Sequence, residues 1–370
     1  MALWETAIPQ QSTQESLPPA SLETLQSLWD QIVVAGGGPS LDLGKLAYSL
    51  LPGGPSPQWG AFFRALLNSL GGALASNVHE AAVLLAIGLM AALLSGLFTS
   101  FGKSAVATTA MSLVQMAMVV VSVGLFTRVL QLAQSAIDGE STALASLTPM
   151  VLAGLTATGG VAGAALLHPI LVFSVQLSVQ LMDHVIFPLI YASAVLGLVG
   201  SFAEGFPLTR LVRAMRGWAL WIIGITSAVF VGVLSITGLS VGVENGLALR
   251  AAKYAVGEAV PVVGELFSDA AEALIGTSLA IRNVVGLLGL VVIAGIAFYP
   301  MLQILLNVLL VQLMAALLEP LGIGTMTNSV AEVGEALHGL FAAVGIVALL
   351  FFFGLGSVLA SANVMAAMHG

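Results

Sequence analysis

Cysteine is absent from the 370 residues, and charge is nearly as scarce, with Asp, Glu, Lys and Arg making up 8% of the chain against about 25% in a soluble domain. The missing thiols exclude disulfides, thiolate nucleophiles, iron-sulfur ligation and cysteine-based zinc sites. Only ten residues are basic, too few to build a nucleic-acid surface. A phosphate-cradling GxxxxGK[ST] loop is lacking, so the chain cannot power transport with nucleotide by itself. His168 and the pair Asp183-His184 have no second histidine at helical spacing, no HExxH occurs, and the nearby serines form no dyad pattern. Neither a catalytic site, nor a metal, nor a cofactor is expected. Ionisable side chains are almost missing from the long apolar runs, which argues against an ion-coupled pump.

What is present in quantity is hydrocarbon. Hydrophobic residues are 58% of the chain and the mean hydropathy is +1.05, which places it among membrane proteins. The pattern predicts an all-α polytopic helix bundle of about seven to nine transmembrane helices with a small extramembrane helical region at the N-terminus. Four stretches are expected. Residues 1–77 form the extramembrane region, 78–240 and 284–370 hold transmembrane helices, and 241–283 is an amphipathic segment outside or dipping partly into the membrane. In the first stretch, Leu22, Leu25, Leu28, Trp29 and Ile32 recur at helical spacing, so Ser21 to Val33 reads as an amphipathic helix with Ser21 as N-cap. A second short helix is expected from Trp59 to Leu70. Residues 1–20 lack both a basic n-region and an apolar h-region, so a start upstream of the given one is expected.

Spans of membrane length are expected at 81–99, 105–126, 144–167, 218–239, 284–299, 301–319 and 340–361. The 34 residues from Pro169 to Phe202 are expected to form two short helices turning near Asp183, because Asp183-His184 and Pro188 interrupt the apolar run. That gives nine crossings. With Arg210, Arg213 and Arg216 on the cytoplasmic side, Lys103 falls on the same side and the N-terminal region outside. Pro261 is expected to split 241–283 into two amphipathic helices, since its ring removes a donor and crowds the preceding turn.

Three constellations are candidates for function. Gly159 and Gly163 form a GxxxG, and Gly232 ends a ladder with Gly224 and Ala228. Small side chains let helix backbones approach closely in lipid, either within one subunit or between subunits. Gln176, Gln180 and Asp183 fall at i, i+4 and i+7 and form one polar stripe, which suits a pore lining, an inter-subunit seam or hydrogen bonds inside the bundle. Gln303 and Asn307 repeat that spacing with the same readings. In the segment after Leu239, Lys253, Pro261, Glu265 and Asp269 mark an amphipathic surface suited to docking a partner.

The run KYAVGEAVPVVGELFSDAAEALIG from Lys253 to Gly276 resembles the most distinctive stretch of the stage III sporulation protein AE family. The following residues to Gly322, LTPMVLAGLTATGGVAGAALLHPIL at 147–171, and VIFPLIYASAVLGLVGSF at 185–202 are similar to that family in order and spacing. The resemblance covers about residues 20–362. It implies a non-enzymatic membrane subunit of a secretion-like channel complex between mother cell and forespore, needed for late forespore gene expression. It also implies a place in the outer forespore membrane of the mother cell. The implied partners are the other stage III proteins, including an ATPase and ring-forming subunits, along with the lipid bilayer. A self-sufficient small-solute transporter is the competing expectation.

Overall fold

The computed structural model describes residues 19–50, 59–101, 105–157, 161–202, 208–236 and 284–369. All regular structure among them is helical, and six helices are long and apolar enough to cross a membrane. The chain is an all-α, multi-pass membrane protein.

The N-terminal region folds as α1 (Pro19–Trp29), a wide π-type turn (Asp30–Val34) and α2 (Leu43–Leu50). Leu25, Leu28, Trp29 and Val33 are buried while Glu23, Asp30 and Gln31 face out, as the helical spacing predicts, although the helix begins two residues before Ser21. Asp42 caps α2, its Oδ1 accepting the Lys45 amide at 3.0 Å. That hydrogen bond holds the Asp42 carboxyl below its ordinary range, so whatever stability the cap adds is lost as the pH falls through that lowered value.

The long helices follow: α3 (Trp59–Phe101), α4 (Ala105–Ala157), α5 (Val161–Leu181), α6 (Phe187–Phe202), α7 (Thr209–Ile236), α8 (Val284–Leu318) and α9 (Gly324–His369). They depart from the expected division in a consistent way. The expected short helix 59–70 and the span 81–99 are one helix of 43 residues, and the residue-77 boundary falls inside it. The spans expected at 105–126 and 144–167 share α4 up to Ala157, with Arg128, Asp138 and Glu140 inside the helix. The spans expected on either side of Pro300 are one helix, α8, of 35 residues. The turn expected near Asp183 is a π-type turn, Met182–Ile186, joining α5 to α6 without reversing the chain. Six candidate spans lie among the described residues, beside the expectation of about seven to nine for the whole chain.

At the proline positions the physical reason is the same. A proline in a soluble helix usually ends it, but in hydrocarbon a broken helix would strand backbone groups that no water can satisfy, so the chain bends or widens and continues. The wider turn supplies this at Pro188: Phe187 donates its amide to Met182, five residues back, and Pro188 needs no donor of its own.

In the packed bundle α9 lies centrally, against α4, α6, α7 and α8. Its apolar window is 67% buried, against 22–39% for the other five, which makes it the core helix and the rest its wall. The N-terminal helices seat on α4 and α8. Trp29, 1% exposed, donates its indole N–H to the Pro39 carbonyl at 3.0 Å and brings its six-membered ring against Gly295, where any Cβ would collide with it. Gly139 makes room for Ile32 in the same way.

Because Trp29 is the anchor, Trp29→Ala should cost about 3–5 kcal/mol, and Gly295→Val should expel the ring. Both variants should make residues 19–50 sensitive to limited proteolysis in detergent while the bundle persists. An unchanged cleavage pattern in both would show that the N-terminal region is held elsewhere.

Candidate functional site

Three polar features interrupt the apolar bundle. The first is an ion pair. Arg216 of α7 reaches Glu332 of α9, with Nη2 donating to the carboxylate Oε2 at 2.6 Å and to the Glu332 carbonyl at 3.0 Å. Its Nε donates to the Ser193 hydroxyl of α6 at 3.3 Å. The two side chains are only 15% and 27% exposed, so the pair is shielded and its charge-assisted bonds are stronger than at a wet surface. Gly197, one turn after Ser193, lets Glu332 come close, since a Cβ there would meet Oε2 at 2.9 Å. Three helices are thus pinned at one point. Of the three arginines in this segment, Arg210 and Arg213 stay exposed.

The second feature is a cavity of about 500 Å³ under the N-terminal region, lined by Ser69 and Asn77 of α3, Arg128 of α4, and Tyr299, Gln303 and Asn307 of α8, among others. Gln303 donates to the Tyr299 hydroxyl at 3.0 Å and to the Gly36 carbonyl at 3.3 Å. Asn307 donates to the Gln303 carbonyl at 2.8 Å. Gln303 thereby ties the loop after the π-type turn to α8. Gly37 in that loop has φ +86°, a backbone conformation glycine adopts at little cost, and Gly38 sits where a Cβ would run into Val33.

The third feature is Glu140 on α4. It is fully buried, and neither carboxylate oxygen has a hydrogen-bond partner among the described residues. It falls on the same face as Ala136, Ile137, Ala143, Leu144 and Leu147, all buried. Read as part of a loop, this acid looks solvated; its spacing of four from Ala136 and from Leu144 is the signal that places it on the core stripe.

The other sequence candidates distribute as follows. Gln176 and Gln180 are exposed on α5, and Asp183 is half-buried in the π-type turn, close enough to Asp138 of α4 for their charges to interact. Gln176 and Gln180 are thus left uncovered by the described residues. Gly232 has no atom within 4 Å of where a Cβ would stand, so any close approach there is made by something other than the described part of this chain. Gly163 lies in α5. Gly159, Lys103, Lys253, Pro261, Glu265 and Asp269 lie outside the described residues. No cluster of metal-binding side chains occurs among the described residues.

The model of the family described as stage III sporulation protein AE matches residues 41–362, which takes in all six candidate spans, the ion pair and most of the cavity lining. The chain belongs to the stage III sporulation protein AE family. Within that family it is similar to stage III sporulation protein AE of Bacillus subtilis (strain 168), at 31% identity over 348 residues, 93% of this chain and 87% of the relative. No solved structure matches. As a member of this family the chain is a sporulation protein, and its apolar helices make it a multi-pass one.

The ion pair gives a cycle of substitutions a defined outcome. Arg216→Met strands the Glu332 carboxylate and should destabilise the detergent-solubilised protein by about 2 kcal/mol. The double variant with Glu332→Met should recover most of that loss, because no unpaired charge remains. Simple additivity in thermal unfolding would mean that the two groups do not depend on each other. At Glu140, replacement by Gln should leave accumulation in the membrane near normal, whereas Glu140→Lys puts a longer basic side chain into a fully buried position, where it is either charged without a partner or forced neutral, and should sharply lower it. Normal levels of the lysine variant would mean that water reaches the site.

Proposed function

We propose that this protein is a non-enzymatic membrane subunit of the channel complex that joins mother cell and forespore, working in the outer forespore membrane of the mother cell. The observation that carries the reading is the family match over residues 41–362. The residues favour it: the chain has many apolar helices, no phosphate-binding loop and no catalytic constellation, so energy and gating come from partners. Those partners are the other stage III proteins, including the ATPase and the ring-forming subunits. The surface row Gln176, Gln180 and Asp183 suits a pore or seam completed between subunits, because an exposed polar row on a membrane helix needs polar neighbours or water.

Within this reading, the segment 253–276 docks soluble partners in the intermembrane space, with Glu265 and Asp269 presenting charge and Pro261 setting the bend. Charge reversal at both acids should leave accumulation intact while loosening an electrostatically matched interface. Retained co-purification of the ring-forming partners, together with normal sporulation, would exclude this docking role. The broader reading is tested by introducing the chain into a Bacillus subtilis strain deleted for the relative. Rescue of late forespore gene expression, with no solute flux from liposomes holding the purified protein alone, is the expected result. Robust flux without partners would favour a self-sufficient transporter.

A further inference from the structure

The cavity under the N-terminal region carries charge of one sign only. Arg128 lines it together with Ser69, Asn77, Tyr299, Gln303 and Asn307, and no Asp or Glu is among the described lining residues, although acids outnumber bases by 18 to 10 in the chain. Gly36, Gly37, Gly72 and Arg128 are exposed and frame its opening, while Tyr299 and Asn307 are buried at its back. The Gln303 amide is engaged by the Tyr299 hydroxyl and the Gly36 carbonyl. The Arg128 guanidinium, a planar fork of N–H donors, is joined by the amides of Asn77 and Asn307 around a space of about 500 Å³, within the range of small-ligand sites. Such a lining accepts an anion.

The height of the cavity in the membrane narrows the choice of anion. On the outward face of α4 the large exposed side chains before Arg128 are Val106, Leu113, Met116 and Val120, and Thr109 and Ser112 there turn their hydroxyls back onto carbonyls of their own helix. From Arg128 onward the same face shows Arg128, Gln131, Ser135 and Asp138. Residues 104–127 carry no charged side chain and rise about 36 Å at 1.5 Å per residue, enough to cross a hydrocarbon layer of about 30 Å. α3 changes in the same way: residues 81–102 hold no charged side chain and expose Leu89, Leu93 and Leu97, whereas His79 is exposed just before them. Asn77 and Arg128, which line the cavity together, therefore stand where hydrocarbon gives way to water, at the level of lipid phosphates.

We propose that the cavity binds the phosphate of an anionic membrane lipid, with Arg128 pairing the phosphate and the Asn77 and Asn307 amides holding the polar head. A guanidinium meets two phosphate oxygens with two parallel N–H bonds, and basic pockets between membrane helices suit anionic head groups. Because no described carboxylate lines the cavity, a head group carrying an ammonium gains no ion-pair partner there, and a neutral polyol head is favoured over choline or ethanolamine. Free phosphate offers the same chemistry, but a lipid delivers it at this height and at the concentration of the bilayer itself. The site does not depend on the channel role.

The test uses the full chain in detergent, freed of lipid by repeated detergent exchange, with thermal unfolding followed as dioleoyl phosphatidylglycerol, dioleoyl phosphatidylcholine or inorganic phosphate is added. We expect saturable stabilisation by phosphatidylglycerol, with the other two acting severalfold more weakly. Arg128→Gln, at an exposed position, should weaken the phosphatidylglycerol response about tenfold. Gly72→Leu, whose Cβ meets no atom within 4 Å, should leave accumulation intact and block the response by filling the space. Arg64→Gln, exposed and outside the lining, should respond as the native chain does. Inorganic phosphate acting as strongly as phosphatidylglycerol would overturn the lipid source in favour of a soluble phosphate. Equal action of the two lipids, or an equal loss in Arg64→Gln and Arg128→Gln, would overturn the site in favour of general solvation by lipid or diffuse surface charge. No response of the native chain to any of the three would overturn it in favour of a cavity filled by the chain's own residues.

Discussion

The structure depends on one constraint: backbone amides and carbonyls that enter hydrocarbon must find their partners inside the helix, because no water is there to replace them. Pro149, Pro169 and Pro300 lie within α4, α5 and α8, and Pro188 opens α6 directly after the π-type turn. None of them ends a rod. A locally missing hydrogen bond is less unfavourable than exposing a whole helix end to lipid, so continuity prevails over propensity. The result is a small number of very long helices.

Those long helices set the problem that glycine solves. Rods that cross at several heights approach most closely where side chains are small, and the contacts here are specific: Trp29 on Gly295, Ile32 on Gly139, Leu318 on Gly88 and Glu332 on Gly197. Two of the four seat the N-terminal helices on the bundle. One brings a carboxylate to the depth at which Arg216 and Ser193 can hold it. Close backbone approach is therefore as much a means of placing polar groups as of packing apolar ones. At Gly71 and Gly232, by contrast, no atom of the described residues lies within 4 Å of where a Cβ would stand.

Polarity follows the same geometry. The cavity beneath the N-terminal loop gathers side chains from α3, α4 and α8, and the ion pair ties α6 and α7 to the central helix α9. Glu140 sits on the core face of α4 with no such arrangement among the described residues. It is the one acid there whose placement works against burial rather than with it.

The sequence by itself determined the class of the protein, its family and the side of α1 that turns inward. Composition fixes the solvent, the spacing of Leu25, Leu28 and Trp29 fixes a helix face, and the 253–276 run carries the resemblance; each is a local property. Where rods begin and end was not legible, because proline and charge break helices in water and the same signals at Pro300, Pro188 and Asp138 to Glu140 do not break them in a packed bundle. Only the tertiary structure decided that Arg216 meets Glu332 across 116 residues of chain, or that Gln176 and Gln180 face outward. Sequence spacing gives the angle of a side chain around its own helix, and the neighbour at that angle is set by how the rods pack.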